Sequence, residues 1–115
     1  MPHDIRLAGP WKRIAGEDSV EIRLPQAVQP AIILSRAFNR PSGLTEMSVT
    51  TLLVDASNAV QISLNESPLV ARAADDVQEF DIGNSLSSFN TIRLSVEGDA
   101  TVRSVHLRIY DDSPT

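Results

Sequence analysis

Residues 44–96 read LTEMSVTTLLVDASNAVQISLNESPLVARAADDVQEFDIGNSLSSFNTIRLSV, and this stretch decides the fold. Apolar and polar residues alternate strictly in two of its segments, Val60–Leu64 and Ile92–Val96. Alternation with a period of two is typical of half-buried β-strands. Turn-forming residues separate the candidate strands, at Asp55–Asn58, Asn65–Glu66 and Gly83–Ser88. The stretch therefore predicts the middle of an antiparallel β-sandwich.

The same pattern extends the fold in both directions along the chain. We predict strands over Ile5–Leu7, Trp11–Ile14, Ser19–Leu24, Ala31–Asn39, Thr45–Val54, Asn58–Leu64, Phe89–Val96 and Val105–Ile109, with Phe80–Ile82 extended. Ala31–Asn39 is mostly apolar on both faces, so we expect it in the middle of a sheet. The sequence thus predicts an all-β chain, a two-sheet antiparallel β-sandwich of about eight strands.

Two interpretations stay open for residues 68–79. Ser67 and Pro68 suit the cap and first position of a helix, and Leu69, Ala73 and Val77 share one helical face. Acidic residues near the C-terminal end of such a helix would oppose its dipole. We therefore expect an extended segment, with a helix as the alternative.

Length and composition favour one folded domain. A chain of 115 residues with 42% hydrophobic residues can bury a core of its own. We predict a single domain over residues 1–115, with its core at about 5–110. The chain has no cysteine, which excludes disulfides, cysteine-based zinc sites and a thiol nucleophile.

Charge and hydropathy restrict the partners. The formal net charge is −5, so we expect no nucleic-acid partner and no anionic membrane surface. No apolar run has the length of a signal peptide or of a membrane span, so the chain is expected to be cytoplasmic by default.

No constellation of catalytic residues stands out. His3 lies in the N-terminal tail, and His106 is predicted on the outward face of the last strand. Acidic loop residues are expected to be solvated. Asp75–Asp76 and Asp111–Asp112 leave structural calcium as an alternative, although they lack the dense alternation of oxygen ligands of a calcium loop. We predict a protein without cofactor or resident metal that is not an enzyme.

A set of ordered motifs resembles a known family. The motifs are Leu7–Trp11, Phe38–Pro41, Leu52–Asp55, Ala59–Asn65, Phe80–Ile82, Leu86 and Asn90–Val96. Their order is similar to that of the galactose-binding-like jelly-roll domain, the sugar-binding domain at the N-terminus of family 2 glycoside hydrolases. The resemblance covers about residues 5–110. Glu66 follows Asn65 where the family usually has glycine, and the 115 residues hold no catalytic barrel.

The resemblance implies a non-catalytic module of carbohydrate-binding type, with an unknown ligand. Two alternatives remain: a structural or protein-interaction domain that associates with itself or another chain through a sheet face or edge, and an accessory domain of a glycoside hydrolase. Asn65 is expected to accept the positive φ of a tight turn, and Asn90 to satisfy backbone groups of a loop.

Five residues are weak candidates for ligand contact: Trp11, Arg36, Asn65, Glu66 and Tyr110. Aromatic residues make up 4% of the chain, and saccharide sites usually present exposed aromatic faces. We expect Phe38, Phe80 and Phe89 in the core, Trp11 under the first strand and Tyr110 exposed. Arg36 shares a face with Leu34 and Phe38, so it is either partly buried with a carboxylate partner or placed on a concave sheet face.

Overall fold

The alternating segments of the sequence form β-strands in a computed structural model, which describes residues 3–7, 9–41, 48–71, 77–83 and 86–111. Eleven strands occur in these ranges: β1 (His3–Arg6), β2 (Trp11–Ala15), β3 (Asp18–Ile22), β4 (Gln26–Val28), β5 (Ile32–Asn39), β6 (Ser48–Ala56), β7 (Gln61–Leu64), β8 (Ser67–Pro68), β9 (Val77–Gly83), β10 (Phe89–Ser95) and β11 (Ala100–Asp111). The predicted all-β class is confirmed. The count exceeds about eight because short strands such as β4 and β8 carry no alternation signal of their own.

The strands form two antiparallel sheets. One has five strands in the order β1-β11-β6-β9, with β4 also paired to β11. The other has six strands in the order β3-β2-β5-β10-β7-β8. The predicted two-sheet sandwich is confirmed, and so is the central position of β5, which covers most of Ala31–Asn39.

Apolar side chains from both sheets fill the interior. Leu34 and Ile92 from the six-stranded sheet belong to the same buried cluster as Leu52 and Leu107 from the five-stranded sheet. The inward direction predicted for Val60, Ile62 and Leu64 is confirmed, since all three are buried. Burial of this kind contributes roughly 25 cal/mol per Å² of apolar surface removed from water.

The chain passes from one sheet to the other between β1 and β2. Leu7 still pairs with β11, where its N–H donates to the Val105 carbonyl at 2.8 Å. Trp11 then begins β2, and its indole Nε1–H donates to the Leu7 carbonyl at 2.6 Å. The indole is fully buried, so a single side chain both fills the core and closes the crossing. The Gly9–Pro10 peptide within the crossing is cis.

Two tight hairpins use residues with positive φ. Gly16 has a φ of 62° in the two-residue loop between β2 and β3, whereas Glu17 beside it does not have a positive φ. Asn65 and Glu66 have φ values of 51° and 72° in the loop between β7 and β8. The predicted turn at Asn65 is confirmed, and both of its residues take the left-handed conformation that a type I′ hairpin requires.

Parts of the predicted strands and loops lie outside the described residues. Residues 42–47 are among these, so only Ser48–Ala56 of the predicted strand at Thr45–Val54 is described. In the region with two interpretations, Ser67–Pro68 is β8 and the chain from Val77 belongs to β9. Those parts are extended, and residues 72–76 lie outside the described ranges. Of the residues named for a calcium site, Asp75, Asp76 and Asp112 also lie outside these ranges.

Phe89 corrects one expectation about the core. Its side chain is 61% exposed, so the prediction of a buried Phe89 is wrong. Asn90 and Ile92 point inward on β10, and alternation then turns Phe89 to the outer face. Phe38 and Phe80 are buried as predicted.

Strand β3 is more exposed than its alternation suggests. Val20 is 56% exposed although it lies on the inward side of the strand. β3 is the edge of the six-stranded sheet, where little of the facing sheet covers it. In the ranges that the structure describes, no helix is long and apolar enough to cross a membrane.

Candidate functional site

The outer face of β10 presents a continuous line of side chains to solvent. Phe89, Thr91, Arg93 and Ser95 alternate with buried residues and therefore share this face, and we call these four residues the β10 strip. With a rise of about 3.3 Å per residue, the strip places the Phe89 ring roughly 13 Å along the strand from Arg93. An exposed aromatic ring, side-chain hydroxyls and a guanidinium thus lie on one sheet face.

A cleft adjoins one end of the β10 strip. It has a volume of about 580 Å³ and is lined by Ile33, Val60, Gln61, Ile62, Ser63, Pro68, Leu69, Ala71, Phe80, Arg93 and Ser95. We call it the sheet cleft. One border is made by the segment after β8, where the Leu69 N–H donates to the Ile62 carbonyl at 2.9 Å. Its lining combines apolar side chains with hydroxyl, amide and guanidinium groups.

A chain of hydrogen bonds orients the polar end of the sheet cleft. The Ser95 hydroxyl donates to Gln61 Oε1 at 3.4 Å, and Gln61 Nε2 donates to Glu97 Oε1 at 2.9 Å. The carboxylate therefore holds the amide in one orientation. Glu97 itself lines a neighbouring pocket and not the sheet cleft.

A buried asparagine supports the middle of the strip from below. Asn90 Oδ1 accepts hydrogen bonds from the Ser87 N–H at 2.8 Å and from Asn65 Nδ2 at 3.0 Å, and Asn90 Nδ2 donates to the Ser87 carbonyl at 2.8 Å. Asn65 Oδ1 in turn accepts from the Thr91 N–H at 2.8 Å. These bonds attach the turn at Asn65 and Glu66 to β10, so the role predicted for Asn90 in satisfying loop backbone groups is confirmed.

The attached turn forms a second, smaller pocket beside the strip. This pocket has a volume of about 280 Å³ and is lined by Asn65, Glu66, Thr91 and Arg93. Arg93 therefore borders both the small pocket and the sheet cleft. Among the described residues no ion pair involves Arg93.

The five-stranded sheet has a different electrostatic character. On its outer face, Arg108 makes a bidentate contact with Asp4, with Nε–Oδ1 and Nη2–Oδ2 distances of 2.8 and 2.9 Å. These hydrogen bonds lower the pKa of the Asp4 carboxyl below its usual value. They also raise the pKa of Arg108, with a further contribution from the Tyr110 hydroxyl. Arg103 pairs with Asp55 at 3.0 Å on the same sheet.

The structure separates the five predicted site residues into four places. Asn65 and Glu66 lie beside the β10 strip. Trp11 is fully buried, and its ring offers no face to a ligand. Arg36 lies on the inner face of β5, where its Nη1 donates to the Pro10 carbonyl at 3.3 Å. Tyr110 is 41% exposed on the five-stranded sheet, away from the strip.

Sequence reasoning did not single out Arg93 or Phe89. The signal for Arg93 was present, because it alternates with Ile92 and Leu94 and must face outward. The same alternation puts Phe89, four residues before Arg93, on the same face. Each residue is ordinary alone, and only their shared face next to the turn at Asn65 makes them a candidate site.

Metal ligation finds no support in the described ranges. Within residues 3–7, 9–41, 48–71, 77–83 and 86–111, no group of three or more His, Asp or Glu side chains could hold a metal ion. Among the described residues that line the sheet cleft there is also no carboxylate.

Comparison with known proteins gives similarity in structure but not in sequence. No profile of a known protein family matches the chain, and no curated protein matches it. Among solved structures, the chain is similar to an FMN-binding β-glucuronidase from Facaelibacterium prausnitzii L2-6, with 16% identity and a TM-score of 0.76 over 97% of this chain. A putative β-galactosidase from Bacteroides fragilis has 13% identity and a TM-score of 0.72 over 96% of this chain.

A third similar structure is a β-glucuronidase from Bifidobacterium dentium complexed with coumarin-3-O-glucuronide, with 18% identity and a TM-score of 0.66 over 88% of this chain. The chain spans only 20% to 23% of the length of these three proteins. At such identities the likeness shows a common fold. The resemblance to a β-sandwich domain of glycoside hydrolases is therefore confirmed at the level of the fold.

Proposed function

We propose that this chain is a non-catalytic saccharide-binding module whose binding surface is the β10 strip with the adjoining sheet cleft. The observation that carries the proposal is the outward Phe89 ring on the same strand face as Arg93 and two hydroxyl side chains. Saccharide sites combine an apolar or aromatic surface with a few fixed polar groups, because sugar rings have C–H faces and hydroxyl edges.

Each part of this surface has a matching role toward a sugar chain. The Phe89 ring packs against the C–H face of one sugar ring. In the sheet cleft, the amide of Gln61 is held by Glu97 and offers an oriented partner to sugar hydroxyls. Apolar residues such as Ile33 and Leu69 exclude water around these polar groups. The flat strand face suits a chain of sugars that lies along β10.

The chemistry of the cleft supports binding without cleavage. Glycoside hydrolysis usually employs two carboxyl groups on either side of the scissile bond. The described lining of the sheet cleft contains none, and the single carboxylate of the neighbouring small pocket belongs to Glu66.

Calorimetric titration with neutral and acidic oligosaccharides tests the proposal. We expect saturable binding, and Phe89→Ala should weaken it roughly fivefold to tenfold, since loss of an aromatic contact costs about 1–1.5 kcal/mol. Tyr110→Ala is the matched control, because it removes an exposed aromatic ring from the opposite sheet. Absence of binding across the panel at millimolar saccharide, or equal losses in both variants, would count against the proposed surface.

Such a module would serve as an accessory domain of a larger glycoside hydrolase. The three similar structures support this proposal, since a domain of this fold accounts for about a fifth of each. In that setting the module would hold a saccharide near a catalytic domain. We expect a covalent fusion of this chain to a glycoside hydrolase catalytic domain to raise turnover of a polymeric substrate. A mixture of the two separate proteins should leave that turnover unchanged.

A second candidate function is self-association through the five-stranded sheet. Val49 and Tyr110 are opposite each other in the register of β6 and β11, and each is more than 40% exposed. Light scattering should then give a dimer mass that Val49→Glu returns to the monomer mass. A monomer at every concentration would contradict this function.

A further inference from the structure

Arg93 differs from the ion-paired arginines of the opposite sheet. Arg103 and Arg108 each contact a carboxylate, at 3.0 and 2.8 Å. Arg93 is exposed, borders two cavities, and has no carboxylate within ion-pair distance among the described residues. An uncompensated guanidinium in the candidate binding surface of a chain with net charge −5 indicates a ligand that carries negative charge.

The strand register leaves the Arg93 side chain accessible. Its direct neighbours across the sheet are Ser35 on β5 and Ser63 on β7. Both have short hydroxyl side chains, which leave room around the guanidinium and can donate further hydrogen bonds. Lys12 is opposite Ser35 one strand further on, roughly 10 Å from Arg93 at a strand spacing of about 4.8 Å. Glu21 on β3 is opposite Lys12 and offsets its charge, so Arg93 supplies the positive charge in the middle of this sheet face.

We propose that the saccharide bound here carries a carboxylate, as in a uronic acid residue, and that Arg93 binds this carboxylate in a bidentate contact. The planar fork of an arginine matches the two oxygens of a carboxylate, and such charge-assisted hydrogen bonds are about twice as strong as neutral ones. The inference rests on the saccharide-binding function proposed above and adds the chemical class of the ligand.

Glu66 restricts the direction from which the carboxylate approaches. It lines the small pocket on one side of Arg93, where a second negative charge would be repelled. The sheet cleft on the other side has no carboxylate in its described lining. The ligand carboxylate therefore lies on the cleft side at the Arg93 end, away from Glu97, which contacts Gln61 at the Ser95 end. Glu66 accepts hydrogen bonds from sugar hydroxyls.

Titration with matched pairs of ligands tests the inference. The pairs are tetrasaccharides of galacturonate, mannuronate and glucuronate, each with its fully methyl-esterified form, so that only the charge differs within a pair. We expect one acid form to bind roughly tenfold or more tightly than its ester, with a difference that shrinks as salt is added. Arg93→Gln should weaken binding of the acid form more than binding of the ester and so remove the difference between them. Glu66→Gln should tighten binding of the acid form.

Arg6→Gln is the matched control, since Arg6 is exposed on the five-stranded sheet. It should leave both affinities unchanged, and circular dichroism should show the same fold for all variants. Equal affinity for acid and ester forms would overturn the inference and leave the saccharide function intact. Acetate that competes as strongly as the acid tetrasaccharide would overturn it as well, because the site would then be a simple anion site. No binding of any charged or neutral saccharide would defeat both proposals.

Discussion

Asn90 shows how one buried amide positions the candidate site. Its side chain is fully buried, and each of its polar atoms has a hydrogen-bond partner. Through Asn65 the amide joins a turn that lies 25 residues away along the chain. Buried polar groups with complete hydrogen bonding make a single local arrangement more favourable than its alternatives.

We expect Asn90→Ala to lower the free energy of unfolding by roughly 2–3 kcal/mol, because it leaves the Ser87 backbone groups and the Asn65 amide without their partner. Urea denaturation followed by circular dichroism measures the change. Asn39→Ala removes an exposed amide from the adjacent strand end and should change stability by less than about 0.5 kcal/mol. Equal effects of the two substitutions would show that the Asn90 hydrogen bonds contribute nothing.

Glu66 carries backbone strain in the β7–β8 turn. Its φ of 72° is unfavourable for a residue with a side chain, and glycine has no such cost. We expect Glu66→Gly to raise the free energy of unfolding by about 0.5–1 kcal/mol, after allowance for the greater freedom of glycine in the unfolded chain. Thermal unfolding and urea unfolding both measure this change in the free energy of unfolding.

Glu17→Gly provides the matched control for this prediction. Glu17 is also the second residue of a two-residue hairpin loop, but its φ is not positive, because Gly16 takes the left-handed position there. Glu17→Gly should therefore destabilise the protein slightly. A loss of stability in both variants would mean that the strain at Glu66 is negligible.

At the scale of elements, β11 organises the five-stranded sheet. It has 12 residues, and it pairs with β6 on one side and with β1 and β4 on the other. The short strand β1 is attached by four residue pairs and by the Asp4–Arg108 contact. An edge strand of four residues gains little from its backbone pairing alone, so its side-chain contacts decide how firmly it is held.

The Asp4–Arg108 contact predicts a pH dependence. Since the hydrogen bonds from Arg108 lower the pKa of Asp4 in the folded state, the contact stabilises the protein above the unfolded pKa of about 4. The contribution is lost as the pH falls through the folded pKa. Urea midpoints between neutral pH and about pH 3 should therefore fall less steeply for Asp4→Asn than for the wild type.

Asp18→Asn, at an exposed position on β3, should retain the wild-type pH profile. Added salt should reduce the difference between Asp4→Asn and the wild type, because the pair is exposed to solvent. Parallel pH profiles for Asp4→Asn and the wild type would show that the contact does not stabilise β1.

At the scale of the whole molecule, the two sheets share one buried cluster. Trp11 is the only tryptophan and lies in this cluster, where the chain crosses between the sheets. We expect the protein to unfold in one step, so that tryptophan fluorescence and far-UV circular dichroism give the same midpoint. A fluorescence transition that precedes the loss of β-structure would instead indicate that the sheets separate before they unfold.

The alternation of apolar and polar residues along the chain was sufficient to predict much of the fold and part of the candidate site. The inward direction of Ile62 and Ile92 follows from period-two burial, because every second side chain of a half-buried strand must leave water. The same rule assigns Arg93 to the outer face. Phe89 was expected in the core because of its residue type, and the inward Asn90 beside it reverses that assignment.

The order of local residues therefore specifies which segments are strands, where the tight turns occur and which face of each strand is apolar, since these properties depend on near neighbours. The packing of the sheets specifies which strands become neighbours, and no pattern in the chain states this. Asn65 meets Asn90, and Glu66 shares a pocket with Arg93, because β7 and β10 pair although β9 of the five-stranded sheet lies between them in the sequence. A site assembled from such contacts exists only once hydrophobic burial has brought the two sheets together.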